Sequence, residues 1–231
     1  MGLNDFIARE PRPLPIFILA DTSGSMRGEK INELNLAIRE MILALNETDD
    51  IRGKFQLSII AFGGHVEVVQ PLADIDEVTP RELEASGNTP MGEAIETAME
   101  MIEDRNIVSS RAYTPTIVLI SDGIPTDCPE SIYLEKNYSD WEPLKQLHSR
   151  KRSSKCQRLA LGIGEDSDTE MLRAFIANPD VPLIKVDDAA GITKFFRWIT
   201  MSTVARIQSA NPNETETVPM PFVVDAEGTM I

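Results

Sequence analysis

Short apolar runs alternate with amphipathic helical stretches along most of this chain, and that alternation leaves few folds open. Pro15–Leu19 (PIFIL), Phe55–Phe62 (FQLSIIAF), Thr116–Ser121 (TIVLIS) and Arg158–Ile163 are dominated by apolar and β-branched residues. Runs of this length with little polar alternation read as strands buried on both faces. Ile31, Leu34, Ile38, Met41, Ile42 and Leu45 recur at helical spacing and predict one helix over Glu29–Asn46. Ala94, Ile95, Ala98, Met99 and Ile102 predict a second, with Thr89 as its N-cap and Pro90 as its first helical residue. Helices are also expected over Tyr138–Ser149, where Pro143 limits the start, over Thr169–Ala177 and over Ile192–Ile207, with a short strand at Leu183–Val186. Gly63-Gly64 predicts a turn into an antiparallel partner, His65–Gln70. Parallel strands need crossover helices, so the expected class is α/β. It is doubly wound, with a mostly parallel central sheet, one antiparallel edge strand and helices on both faces.

A chain of 231 residues suffices for one such domain, assigned to residues 11–207. Residues 1–10 read as an N-terminal extension. From Ser209 onward, Asn211-Pro212, Glu214, Glu216 and two further prolines break any regular pattern, so residues 208–231 read as a C-terminal tail, disordered or extended. Val218, Met220, Phe222, Val223 and Val224 in that tail are apolar enough to dock on a partner. The 22 basic and 37 acidic residues give a net charge of −15. That excludes nucleic acid as an expected partner, because phosphate recognition needs a basic face. Cys128 and Cys156 form no CxxC pair and read as thiols of a reducing compartment. No apolar run approaches the roughly 18 residues of a membrane span, and the N-terminus lacks the apolar core of a signal peptide. A soluble, cytoplasmic protein with no membrane contact is expected.

The chemistry gathers where apolar runs end. LADTSGSM places Asp21 and the hydroxyls of Thr22, Ser23 and Ser25 straight after the first strand. Ser121-Asp122-Gly123 closes another strand, and Asn88-Thr89-Pro90 opens a helix. In a doubly wound sheet, functional groups collect at the carboxyl ends of the strands near the reversal of strand order. If the three loops meet there, Asp21, Ser23, Ser25, Thr89 and Asp122 converge. Two carboxylates about 4 Å apart repel by about 4 kcal/mol at an effective dielectric of about 20, so a counter-charge is needed. Asp21, Ser23 and Ser25 alternate and can point to one side of a tight loop, with Gly24 letting the backbone pass close by. Hydroxyl and carboxylate oxygens without histidine or cysteine suit a small hard cation. Mg²⁺ comes first, then Mn²⁺ or Ca²⁺, and zinc fits poorly. Such an ion keeps waters and can accept a further ligand from outside.

DTSGS after a strand, a Thr-Pro pair opening a helix and SDG after another strand, in that order, resemble the von Willebrand factor A (VWA) domain. Its metal-ion-dependent adhesion site (MIDAS) has the form D-x-S-x-S…T…D. The resemblance extends from Pro11 to Ile207. It implies that Asp21, Ser23, Ser25, Thr89 and Asp122 carry the five metal-site roles and that an acidic residue of a partner protein completes the coordination. RPLPIFILADTSGSMRGEKI, SGNTPMGEAI and ISDGIPTD further resemble the stand-alone bacterial domains of the tellurium-resistance TerY group. That implies a cytoplasmic stress-response system with a protein kinase or phosphatase as partner.

The expected function is therefore Mg²⁺-dependent protein binding rather than catalysis. A Mg²⁺-dependent phosphohydrolase using Asp21 as nucleophile wants a second acid two residues on, where Ser23 stands. A scaffold with a vestigial cation site is the third reading. GSMRGEK does not spell a phosphate-cradling loop. Arg27 is a rival neutraliser of Asp21 and Asp122 but is expected to point to solvent, and DTSGS on its own reads equally as a helix-capping cluster. His65 is expected at the surface and His148 in solvent. Arg150, Lys151, Arg152, Lys155 and Arg158 are expected as a hydrated helix end, at the end of the sheet opposite the metal residues.

Overall fold

The computed structural model describes residues 11–48 and 52–213. The expected extension and the apolar tail residues from Val218 onward lie outside the described residues. In chain order the elements are β1 (Arg12–Asp21), α1 (Glu29–Asn46), β2 (Gly53–Gly63), β3 (His65–Asp74), α2 (Met91–Glu103), β4 (Thr116–Ser121), α3 (Glu130–Glu135), α4 (Glu142–Ser149), β5 (Gln157–Ile163), α5 (Thr169–Ile176), β6 (Ile184–Val186) and α6 (Ala190–Gln208). They build a sheet of order β3-β2-β1-β4-β5-β6. Every neighbouring pair is parallel except β2–β3, which gives the expected α/β class with one antiparallel edge strand. All six residues of β4 are buried, so both faces of the sheet are covered. The helices form two layers around it, with α1 packed on α6 and α2 on α4.

β1 and β4 lie side by side although α1, β2, β3 and α2 separate them in the chain. The strand order reverses between them, and their carboxyl ends carry Asp21 and Ser121. Pro13 and Pro15 in β1 precede Ile16, the first residue to pair with β4. Their missing N–H groups fall where the second neighbour has not yet begun.

Gly63-Gly64 does turn the chain, but steric room is the stronger reason for glycine there. A Cβ on Gly63 would lie 2.1 Å from the Thr22 carbonyl oxygen, and one on Gly87 would lie 2.4 Å from Gly64 Cα. The hairpin tip, the loop after β1 and residues 86–88 meet backbone to backbone.

Several expectations are corrected. The helix expected over Tyr138–Ser149 splits into a 3-10 turn at Tyr138–Asp140 and α4, which starts at Glu142 with Pro143 in its first turn. The short α3 was not foreseen. None of its residues is buried, so no apolar period marks it. α2 begins at Met91 with Pro90 at the N-cap, leaving Thr89 one residue further out. The packed chain continues past Ile207. Arg206 is 5% exposed and donates to the carbonyls of Pro212 and Thr114 and to Thr116 Oγ1, while the Thr114 amide donates to Asn213 Oδ1. His65 is exposed as expected, but His148 is half-buried with Nε2 3.3 Å from the Phe175 carbonyl oxygen. Arg152 and Arg158 are not a hydrated fringe either. They donate to the carbonyls of Val108, Ser109, Ile176, Ser154 and Cys156 beside the start of β5.

Candidate metal centre

Asp21 closes β1 and is wholly buried. Its Oδ1 accepts the Ser23 amide at 2.8 Å and its Oδ2 accepts the Ser121 hydroxyl at 2.6 Å. The first bond curls the chain into a tight loop, and the second ties it to the end of β4. The hydroxyls of Ser23 and Ser25 then stand 3.0 Å apart. Ser25 Oγ donates to Asp122 Oδ1 at 2.7 Å. Two of the three motifs are thus linked side chain to side chain, across about a hundred residues of sequence.

The Thr89 loop joins them through the backbone. The Ser86 amide donates to the Thr22 carbonyl at 2.7 Å, the Gly24 amide to Gly87 at 2.9 Å and the Gly64 amide to Asn88 at 2.8 Å. Thr126, in the loop after β4, holds the other side. The Thr89 amide donates to its hydroxyl at 3.1 Å, and its own amide donates to the Thr89 carbonyl at 2.9 Å. Thr89 is 6% exposed, and its Oγ1 lies 4.0 Å from where a Cβ on Gly123 would sit. All five residues singled out in the sequence therefore come to one place, at the reversal of strand order.

Burial pushes the Asp21 carboxyl up to about 6. Hydrogen bonds from Ser121 and Ser23 pull it down, and the charge of Asp122 adds to the rise. Its hydrogen-bond partners, the Ser23 amide and the Ser121 hydroxyl, are both neutral. Asp122 is different. Lys30 Nζ donates to its Oδ2 at 2.6 Å, from a side chain 32% exposed to one with no exposure. Lys30 carries no motif that singles it out, whereas Arg27, the rival neutraliser expected to point to solvent, is exposed and donates to the Ala85 carbonyl. The available signal was position. Lys30 falls in the first turn of the helix that follows the loop, where a cation opposes the helix dipole and needs another reason to be there.

The cluster thus holds two carboxylates, of which only Asp122 is paired with an ammonium. Among the described residues, no group of three or more histidine, cysteine, aspartate or glutamate side chains gathers at metal-binding spacing. The donor set is two carboxylates with the hydroxyls of Ser23, Ser25 and Thr89. Hard oxygens and a buried carboxylate without a cationic partner fit a hard divalent cation. Beside this centre, Ile124 is 40% exposed and borders a shallow cavity of about 480 Å³ shared with Lys136, Asp168 and Thr169.

Comparisons with known proteins agree with this architecture. A model of the von Willebrand factor type A domain family matches residues 16–198. The chain is 28% identical over 123 residues to the pig inter-alpha-trypsin inhibitor heavy chain H4, a stretch covering 49% of this chain and 13% of that protein. It spans only a small part of that relative's length. Among solved structures, it is similar to a von Willebrand factor type A protein from Catenulispora acidiphila, with a TM-score of 0.62, 18% identity, and 83% of this chain and 42% of that one covered. It is also similar to proximal thread matrix protein 1 of the mussel byssus, whose MIDAS motif is occupied by zinc. There the TM-score is 0.59 and the identity 14%, with 84% of this chain and 48% of that one covered. Identities this low establish a shared fold.

Proposed function

The chain belongs to the von Willebrand factor type A domain family, and from that premise we propose that it is a Mg²⁺-dependent protein-binding module whose metal centre takes a carboxylate from a partner. Asp21, Ser23, Ser25, Thr89 and Asp122 hold the cation, directly or through water. A bound divalent ion supplies a positive charge with an exchangeable position, which an Asp or Glu of the partner fills. The observation that carries this reading is the convergence itself, with Asp21 bonded to Ser121, Ser25 bonded to Asp122 and the Thr89 loop stitched to both. At net charge −15, long-range attraction of an acidic partner is absent. Screening removes repulsion beyond about 8 Å at physiological salt, so close coordination provides the affinity.

A MIDAS-type adhesion site is the form this proposal takes, and Mg²⁺ is its first cation because the donors are oxygen only. Mn²⁺, Ca²⁺ and the zinc found in the byssus protein belong in the same titration. The finer setting proposed is a cytoplasmic bacterial tellurium-resistance or stress-response system, with a protein kinase or phosphatase as partner. It is supported by the TerY-like motifs alone. Catalysis is not part of the proposal. Asp21 is wholly buried, a poor place for a nucleophile, and Ser23 stands where a phosphohydrolase wants its second acid. The Lys30–Asp122 ion pair favours one competing reading, a scaffold whose cation site is vestigial.

The test is calorimetric titration of the whole chain with Mg²⁺, together with affinity capture from native lysate in Mg²⁺ and in EDTA. The proposal expects heat from the native protein, none from Asp21→Ala or Asp122→Ala, and a captured protein that EDTA elutes. Absence of heat at millimolar Mg²⁺ would establish the vestigial reading, and capture that EDTA does not disturb would refute a metal-bridged contact.

A further inference from the structure

We propose that Lys30 is a tethered counter-ion that competes with the divalent cation for Asp122, so that cation uptake at this centre is a displacement. The inference rests on the metal-centre reading above. Both oxygens of Asp122 are committed, Oδ1 to the Ser25 hydroxyl and Oδ2 to the Lys30 ammonium. A dication among Asp21, Ser23 and Ser25 draws on the same carboxylate and repels the ammonium, so its arrival weakens the 2.6 Å contact between Lys30 and Asp122.

The geometry gives Lys30 a way out. Asp122 is fully buried, but the Lys30 side chain is 32% exposed, so the ammonium reaches in from the rim and withdraws along the same path. Its stem is fixed in the first turn of α1. On the neighbouring loop after β5, even a Cβ on Gly164 would lie 4.0 Å from Nζ, an ordinary van der Waals distance, so that loop leaves the ammonium room. A lysine in the first turn of a helix faces the positive end of the helix dipole, so helix stability does not explain it, whereas the pairing with Asp122 does. The second ion pair at this edge, Lys136 with Asp168, provides the contrast. Asp168 also accepts the Tyr138 hydroxyl and caps α5 through the Met171 amide, so its charge is satisfied by a structural network.

The experiment compares the native chain with Lys30→Met, which keeps most of the stem and removes the charge, and with Lys136→Met. Calorimetry with Mg²⁺ and Mn²⁺ is expected to show affinity raised about tenfold or more by Lys30→Met, as follows if the paired form occupies about nine-tenths of the native protein. Lys136→Met is expected to leave it unchanged. In the native chain, acetylation of Lys30 by an amine-reactive ester, followed by mass spectrometry, is expected to rise several-fold on saturation with Mg²⁺ while Lys136 stays constant. Mg²⁺ binding of equal or lower strength in Lys30→Met, or Lys30 reactivity indifferent to Mg²⁺, overturns the displacement and leaves the metal centre standing. Binding by Lys30→Met alone supports the displacement and removes the cation from the native function. Binding by neither protein overturns both readings.

Discussion

Replacing Gly87 with alanine tests whether backbone contact between loops is what delivers Thr89 to the proposed metal centre. Gly87 and Gly64 face each other with nearly equal left-handed φ values, +72° and +73°, so alanine meets the same backbone strain at either one, about 1–2 kcal/mol. The steric consequences differ. A Cβ on Gly64 meets Gly87 Cα at 3.5 Å, an ordinary contact, whereas a Cβ on Gly87 meets Gly64 Cα at 2.4 Å and Gly64 N at 2.7 Å. Backbone atoms cannot rotate away, so the loops must part, adding an overpacking penalty of about 1–3 kcal/mol. Gly64→Ala is therefore expected to cost about 1–2 kcal/mol and Gly87→Ala about 2–5 kcal/mol in total. At about 2–4 °C per kcal/mol for a chain of this size, thermal unfolding followed by circular dichroism should show losses of about 2–8 °C and about 4–20 °C. Parting the loops breaks the bonds from Gly24 to Gly87 and from Gly64 to Asn88, which carry Thr89 with them. Mg²⁺ affinity by calorimetry is expected to fall about tenfold or more in Gly87→Ala, equivalent to about 1.4 kcal/mol, and to hold in Gly64→Ala. Equal melting losses together with equal Mg²⁺ affinities would refute this account.

Other expectations follow from buried groups away from the centre. Burial, helped by the nearby Arg158 charge, lowers the pKa of His148 below its ordinary 6.5. The unfolded chain therefore takes up the proton first, and the stability held above about pH 6.5 is lost as the pH falls below it. Urea denaturation at about pH 7.5 and about pH 5 should show that loss shrinking in His148→Gln, and an unaltered pH dependence would sink the assignment. Arg206→Ala strips charged hydrogen bonds from four neutral acceptors, on Pro212, Thr114, Thr116 and Gln157. It is expected to cost at least about 3 kcal/mol in denaturant titration. Mg²⁺ affinity should not move, because Arg206 works at the start of β4 and the centre lies at its far end. A parallel fall in both measurements would show that the two ends of the sheet are coupled.

The sequence by itself determined the α/β class and most of the strands and long helices, and it singled out the five candidate oxygen residues. Each of these is local. An apolar run makes a buried strand, a period of 3.6 makes a helix face, and a hard-oxygen loop after a strand is legible wherever the strand ends. Helix α3 escaped because it buries no residue and so leaves no period. The break between Asp140 and Glu142 is the start that Pro143 requires, since proline is tolerated in the first turn of α4 but would disrupt a helix begun at Tyr138. Only the tertiary structure decided that the loops meet, through glycine backbones that carry no pattern of their own. It also decided which cation partners Asp122. Arg27 lies nearer the loop in sequence, but Lys30 reaches the carboxylate. Helix direction and side-chain length settle that choice, and they act across the 92 residues between Lys30 and Asp122.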